Sequence, residues 1–333
     1  MTGEWSGPEL KALEGFLRDR DLCAGPLTAT RIGDGHSNLT DLVSDGATRL
    51  IVRRPPPPPI PPGAHDVLRE ARLVAALAGT GVPVPAVLAT AQAGEVVESP
   101  LAVTSFVAGP VVTTVTPPAL ASARRAVGES LVDTLAALHA VDRHAAGLAD
   151  LGRPEGFNLR HLRRMRRLVA DEAGVLPAEF RPVDTWLEEH APSESGAAIV
   201  HNDYRLGNVI LGAEPPGRVA AVLDWELATL GDPLFDVGYF LASYPEPGEP
   251  LTPTGALGAA VLEEGWPNRA ELAARYAAAT GRDLSGLAWY TTLALWKLAV
   301  LFAYSRRRGV DPYYDDPALV ASFLDAAHRS AGS

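Results

Sequence analysis

The chain of 333 residues carries 29 Lys and Arg against 40 Asp and Glu, a formal net charge of −11 that excludes a general attraction to phosphate backbones or anionic lipid. Its 47% apolar and 21% charged residues exclude extensive disorder, and its length exceeds what one core usually serves, so two lobes are predicted. A single cysteine, Cys23, rules out an intramolecular disulfide; the opening MTGEWSGPEL lacks the basic-then-apolar layout of a secretory signal, so a cytoplasmic location is expected, with neither nucleic acid nor membrane as partner.

Residues 8–20 place Leu10, Leu13, Phe16 and Leu17 at helical spacing and predict an amphipathic first helix. The period then changes. Residues 29–43 and 49–53 read as two strands, the first interrupted by glycines, and the proline-rich run 55–62 ends the second because proline cannot donate to a ladder. A helix is predicted over 64–78, closed by Gly79 and Gly81, followed by strands over 82–89 and 101–107 and a stop at Gly109-Pro110. The boundary between the lobes is set there, giving 1–108 and 109–333.

From residue 118 to 141 the apolar spacing is helical again, and most of the remaining chain reads as helix. Residues 199–224 differ, with two short apolar runs, 209–211 and 219–223, flanking the turn-rich GAEPPGR as a small hairpin. The apolar stretch 287–304 approaches the length of a membrane span, but Lys297 in its middle argues for a buried helix.

The strongest chemical signal is His201-Asn202-Asp203-Tyr204-Arg205-Leu206-Gly207-Asn208, of the form H-x-D-x-x-x-x-N, with Asp224 after the hairpin. Phosphoryl transfer needs one carboxylate to orient and deprotonate an attacking hydroxyl, with an amide and a second carboxylate to hold Mg²⁺ against a triphosphate. Asp203, Asn208 and Asp224 supply that set. Each residue alone reads as a turn cap or strand end, and a metal hydrolase built on His201 and Asp203 would need a second His/Asp cluster that the sequence does not offer.

These residues carry a resemblance. HNDYRLGN followed by VLDWELATLGDPLFDVGYF resembles the aminoglycoside phosphotransferase and choline kinase superfamily, and most of all the phosphotransferases related to the kinase domain of acyl-CoA dehydrogenase family members 10 and 11. The pieces VRRPP, AHDVLREARLVAAL, LAALHAVD and ALWKLAVLFAYSRRR extend the likeness from about residue 28 to 310.

The resemblance implies an α+β, bilobal protein kinase-like fold, with a small β-rich N-lobe that binds nucleotide and a larger, mostly helical C-lobe. It implies ATP and Mg²⁺ as cofactors and a small-molecule hydroxyl as acceptor. His201 would brace the catalytic loop, Asp203 would be the base, Asn208 and Asp224 would bind Mg²⁺, and Asp236 would tie the loop down. In the first lobe, Gly33, Gly35, Ser37 and Asn38 form a loop whose backbone would approach phosphate, with a plain hairpin turn as the competing reading. Glu70 resembles the helix glutamate that pairs with a strand lysine in kinases. Arg53 stands at the lysine position, exchanging a compact ammonium for a planar fork, and the adjacent Arg54 leaves the register open. Residues 103–107, with Ser105 and Val107, resemble the hinge that receives adenine.

The basic run 160–167 (RHLRRMRR) reads either as a solvated helix face or as a grip for an anionic acceptor. His139, His144 and His161 read as structural or surface residues. The expected activity is transfer of the γ-phosphoryl group of ATP to a hydroxyl of a small metabolite, with a hydroxyacyl-CoA favoured by the likeness. An antibiotic kinase acting on an aminoglycoside or macrolide and a silent nucleotide-binding protein are the alternatives, and oligomeric state is not legible.

Overall fold

The computed structural model describes residues 4–33, 38–57, 65–309 and 311–332. Contacts divide the chain into two compact units, residues 1–108 with 221–226 and residues 109–220 with 227–333. In the smaller unit, α1 (Gly7–Arg18) starts at a capping box in which the Glu9 carboxylate accepts from the Ser6 N–H at 2.8 Å and the Ser6 hydroxyl accepts from the Glu9 N–H. Its Leu13, Phe16 and Leu17 pack with Val43, Leu50, Val52, Leu101 and Val103 to form the core of this unit.

Those partners lie on a five-stranded antiparallel sheet of β1 (Thr28–Ile32), β2 (Leu39–Ser44), β3 (Arg49–Arg54), β4 (Val87–Ala91) and β5 (Leu101–Ser105), in the order β1-β2-β3-β5-β4. The single strand expected over 29–43 is two strands paired antiparallel, with Ile32 opposite Thr40. Gly33, at φ +85°, ends the first of them in a conformation that favours glycine. The strand expected from residue 82 begins only at Val87, because Pro83 and Pro85 have no N–H to give a ladder. The helix α2 (Val67–Leu77), capped by the Asp66 carboxylate on the Arg69 N–H, lies between β3 and β4 in sequence.

The larger unit holds α3 (Arg124–His139), α4 (Phe157–Val169) and α5 (Arg181–Glu189) before its short strands. Next along the chain come β6 (Ala198–Val200), β7 (Val209–Leu211), β8 (Val219–Val222), whose last two residues are assigned to the smaller unit, and β9 (Thr229–Gly231). β6 pairs with β9 and β7 with β8, so the expected hairpin is present. The helices α6 (Pro233–Ala242), α7 (Pro253–Ala256), α8 (Arg269–Thr280), α9 (Leu287–Arg308) and α10 (Pro317–Ala331) complete it. By length and composition α9 would pass for a membrane span, yet 61% of its most apolar window is buried, and α4, α5, α6 and α10 pack around it.

At Gly238, α6 lies against the backbone of α9. A Cβ there would lie 2.6 Å from the Tyr290 carbonyl carbon and 2.7 Å from the Thr291 nitrogen, both backbone atoms that cannot swing aside. Alanine normally favours a helix over glycine by about 1 kcal/mol; here the clash reverses the sign. Gly238→Ala is expected to destabilise the protein by about 1–3 kcal/mol, measured as a lowered midpoint in urea unfolding.

Candidate active site

The loop that leaves β6 is built around one left-handed residue. Asn202 adopts φ +66°, a conformation that costs a non-glycine residue about 1–3 kcal/mol unless its surroundings impose it. They do so from three sides. The buried Asp236 carboxylate, in the first turn of α6, accepts from the His201 N–H at 2.6 Å and from the Asn202 N–H at 2.8 Å. The Asn202 side-chain amide donates to the Leu227 carbonyl at 2.8 Å, and the Asn202 backbone carbonyl accepts from Lys297 Nζ at 2.7 Å.

Asp236 is itself braced. His139 Nε2 lies 3.3 Å from its Oδ2, and His139 Nδ1 lies 2.7 Å from the Tyr276 hydroxyl. A carboxylate needs a donor, so Nε2 carries the proton and Nδ1 accepts from the tyrosine. His139, read from sequence as structural or surface, is fully committed to this brace.

Asp203 comes next, with its backbone N–H 3.2 Å from His201 Nδ1 and its carboxylate held at both oxygens. Oδ1 accepts from the Tyr239 hydroxyl at 2.6 Å, and Oδ2 accepts from Asn208 Nδ2 at 2.8 Å. Arg205 Nε stands 3.5 Å from Oδ1, and the carboxylate retains 18% of its accessibility. Burial and the neighbouring Asp203 charge push the Tyr239 phenol well above its ordinary range, so it stays a donor. Burial pulls the Lys297 amine down to about 8, against the opposing pull of Asp203 and Asp236.

Asn208 spends its amide nitrogen on Asp203, on the backbone oxygen and on Oδ2, each at 2.8 Å. Its Oδ1 is thereby left as a ligand oxygen. Among the described residues no group of three His, Cys, Asp or Glu is placed to hold a metal. Asn208 and Asp224, the residues expected from sequence to bind metal, each carry an oxygen of the kind that a hard cation such as Mg²⁺ prefers.

In the smaller unit, Arg53 joins two carboxylates. One nitrogen lies 2.8 Å from Glu70 Oε1 and another 3.2 Å from Asp224 Oδ1. Burial opposes the Arg53 charge, and Glu70 and Asp224 outweigh it, so its pKa is raised. Asp224 also has a positive φ, +64°, and the Trp225 N–H after it donates to Glu70 at 3.2 Å. The pleat of β3 separates the two arginines: Arg54 points to the opposite face, 3.6 Å from the buried Asp41 and over the Trp5 ring.

Asn38 donates to Glu226 at 3.4 Å, and Gly33 closes β1. Gly35 and Ser37 lie outside the described residues. At Ser105, expected in the hinge, the N–H donates to the Ala86 carbonyl at 2.8 Å and the hydroxyl accepts from the Ala86 N–H at 3.0 Å. Val107 lies beyond β5, and among the described residues no hydrogen bond engages its backbone.

Sequence reasoning missed Tyr239, Lys297, His139 and Tyr276 as parts of this site. The signals were a tyrosine one helical turn after Asp236 and a lysine inside an otherwise apolar run, where an unpartnered ammonium would be costly.

An α+β fold with this loop, and an arginine and glutamate paired between strand and helix, is of the protein-kinase type. Residues 28–290 match the model of the phosphotransferase enzyme family, and the chain belongs to that family. Acyl-CoA dehydrogenase family member 10 of Mus musculus is 33% identical over 236 residues, covering 70% of this chain and 22% of that protein. The chain therefore spans under a quarter of that relative's length. A candidate aminoglycoside phosphotransferase of Ralstonia eutropha JMP134 is 30% identical, with a TM-score of 0.76 over 96% of this chain and 95% of that one. The aminoglycoside phosphotransferase APH(4)-Ia, solved as a thermostable mutant with AMP-PNP and hygromycin B, shares the fold at 19% identity and a TM-score of 0.62, over 96% and 98% of the two chains.

Proposed function

We propose that this phosphotransferase is a Mg²⁺-dependent kinase that moves the γ-phosphoryl group of ATP to a hydroxyl of a small anionic metabolite, with a hydroxyacyl-CoA as the form to test first because a relative is named for acyl-CoA. The observation that carries the reading is Asp203, a partly exposed carboxylate aimed by the Tyr239 hydroxyl and the Asn208 amide. The acceptor oxygen forms a bond to the γ-phosphorus as the bond to the β,γ-bridging oxygen breaks; Asp203 takes the hydroxyl proton and ADP leaves. Asn208 and Asp224 would hold Mg²⁺, which supplies charge neutralisation on the phosphates. Arg53, oriented by Glu70, would contribute a fixed cation to the same end.

The anionic acceptor is supported by α4. Arg160, Arg163, Arg164 and Arg167 recur at i, i+3, i+4 and i+7, all exposed, with Arg160 donating to the Arg153 carbonyl and the Arg163 charge felt by Glu188. Arg166, by contrast, is engaged by Asp184 at 2.5 Å and Glu188 at 2.8 Å. Arg164 is near enough to Lys297 for its charge to oppose that of the buried amine. Such a stripe repels a polycationic aminoglycoside and suits phosphate or carboxylate. Charge-assisted hydrogen bonds are each worth about 1.5–3 kcal/mol, so Arg163→Glu with Arg167→Glu is expected to raise the acceptor KM by at least about tenfold, with the KM for ATP unchanged.

The reading is tested by ADP formation from Mg-ATP over a panel of 4-hydroxyacyl-CoAs, choline, homoserine, aminoglycosides and macrolides, with Asp203→Asn as control. Turnover on an acyl-CoA that vanishes in the control supports it. Turnover on a cationic antibiotic alone moves the assignment to the second reading, and nucleotide binding with no transfer to any acceptor points to a silent kinase fold.

A further inference from the structure

Lys297 is the one buried lysine among the described residues, 3% exposed in the middle of α9. A methionine of similar length would fill the same space without the cost of desolvating an ammonium, so packing does not account for the charge. What the charge meets is the catalytic loop. Nζ donates to the Asn202 carbonyl at 2.7 Å and lies 4.7 Å from the centre of the Tyr239 ring and 5.2 Å from that of Phe235. The same Tyr239 donates to Asp203 Oδ1. One cation thus touches two of the supports of the base, the left-handed residue immediately before Asp203 and the tyrosine that aims its carboxylate.

We infer that Lys297 is a positioning residue for phosphoryl transfer, acting through the Asn202 carbonyl and the Tyr239 ring to hold Asp203 in the orientation in which it takes the acceptor proton. The inference rests on the reading of Asp203 as base. In its charged form Lys297 also places a positive field behind a centre that gathers negative charge during transfer. The charged and titratable groups facing it are Asp203 in the loop, Asp236 and Tyr239 on α6, and Arg164 and His161 on α4. Burial is the largest influence on the amine and brings it to about 8, from an ordinary value of 10.5.

Stability and activity depend on this proton with opposite signs. Below about pH 8 the ammonium is present and its burial cost is borne in full. Between about 8 and 10.5 the folded protein releases this proton before the unfolded chain does, so the contribution of Lys297 to stability rises. Activity moves the other way, because the cation that sets the loop is lost.

The test compares wild type with Lys297→Met, Lys297→Arg and Tyr239→Phe, using the acceptor that supports turnover, and checks fold by circular dichroism and nucleotide binding with AMP-PNP. Lys297→Met is expected to lower kcat about 10²-fold or more, with AMP-PNP affinity and the KM for ATP within about threefold. Lys297→Arg is expected to restore at least tenfold of that loss and to remove the decline of kcat above about pH 8, since a guanidinium stays charged. Tyr239→Phe deletes only the hydroxyl, keeps the ring, and is expected to lower kcat about tenfold or more in a folded protein; it decides the matter if Lys297→Met does not fold. Wild-type kcat in folded Lys297→Met, an alkaline decline unchanged in Lys297→Arg, or wild-type kcat in Tyr239→Phe would each overturn the inference. Turnover surviving in Asp203→Asn would instead sink the assignment of the base, a separate failure.

Discussion

Asp203→Asn is expected to reduce kcat by about 10²–10⁴-fold, the range attributed to a positioned general base, while leaving the fold and the KM for ATP near those of the wild type. The substitution keeps shape and an oxygen for Tyr239 and Asn208 to donate to, and removes the negative charge that accepts the acceptor proton. Steady-state ADP release at saturating acceptor reads the effect, and AMP-PNP binding shows that the site is intact. Phosphoryl transfer leans heavily on positioning and charge neutralisation, so some residual turnover is expected. Wild-type kcat in this variant would refute the base assignment outright.

Asp236→Ala is expected to be the most destabilising single change at the site, by about 3–5 kcal/mol, the cost typical of removing one member of a buried charged network. The carboxylate is fully buried, and three donors converge on it: the N–H groups of His201 and Asn202 and the His139 ring. Truncation leaves two backbone donors buried without acceptors and removes the restraint on a positive-φ residue. Unfolding in urea at neutral pH would show a reduced midpoint, and any folded fraction is expected to turn over poorly because Asp203 comes directly after that turn. Asp236→Asn is expected to recover part of the stability, since one amide oxygen still accepts. A variant with wild-type midpoint and kcat would mean that the turn is held by other means.

Much of this was legible along the chain because it is local. The spacing of Asp203, Asn208 and Asp224 around a hairpin, the glutamate at position 70 and the acidic residue that ties the loop all lie within short segments whose residue types have few other uses in combination. The misreadings of strands were local as well. Residues 29–43 contain two strands because Gly33 ends the first, and residues 82–86 are not strand because two prolines cannot donate.

Other choices needed a third dimension. Arg53 and Arg54 are indistinguishable as letters; only the pleat of β3 sends one to Glu70 and Asp224 and the other to Asp41. Tyr239 and Lys297 lie 36 and 95 residues from the groups they hold, and no spacing rule spans those distances. They meet at the loop after β6, with α6 lying against the backbone of α9 at Gly238 and Lys297 of α9 donating to the Asn202 carbonyl. The sequence by itself determined the family and named the candidate loop and ligand residues, since each depends on residue identity within a few turns of chain. The tertiary structure alone decided which arginine pairs with Glu70 and Asp224 and which tyrosine and lysine reach the loop around Asp203, since those depend on strand face and helix packing.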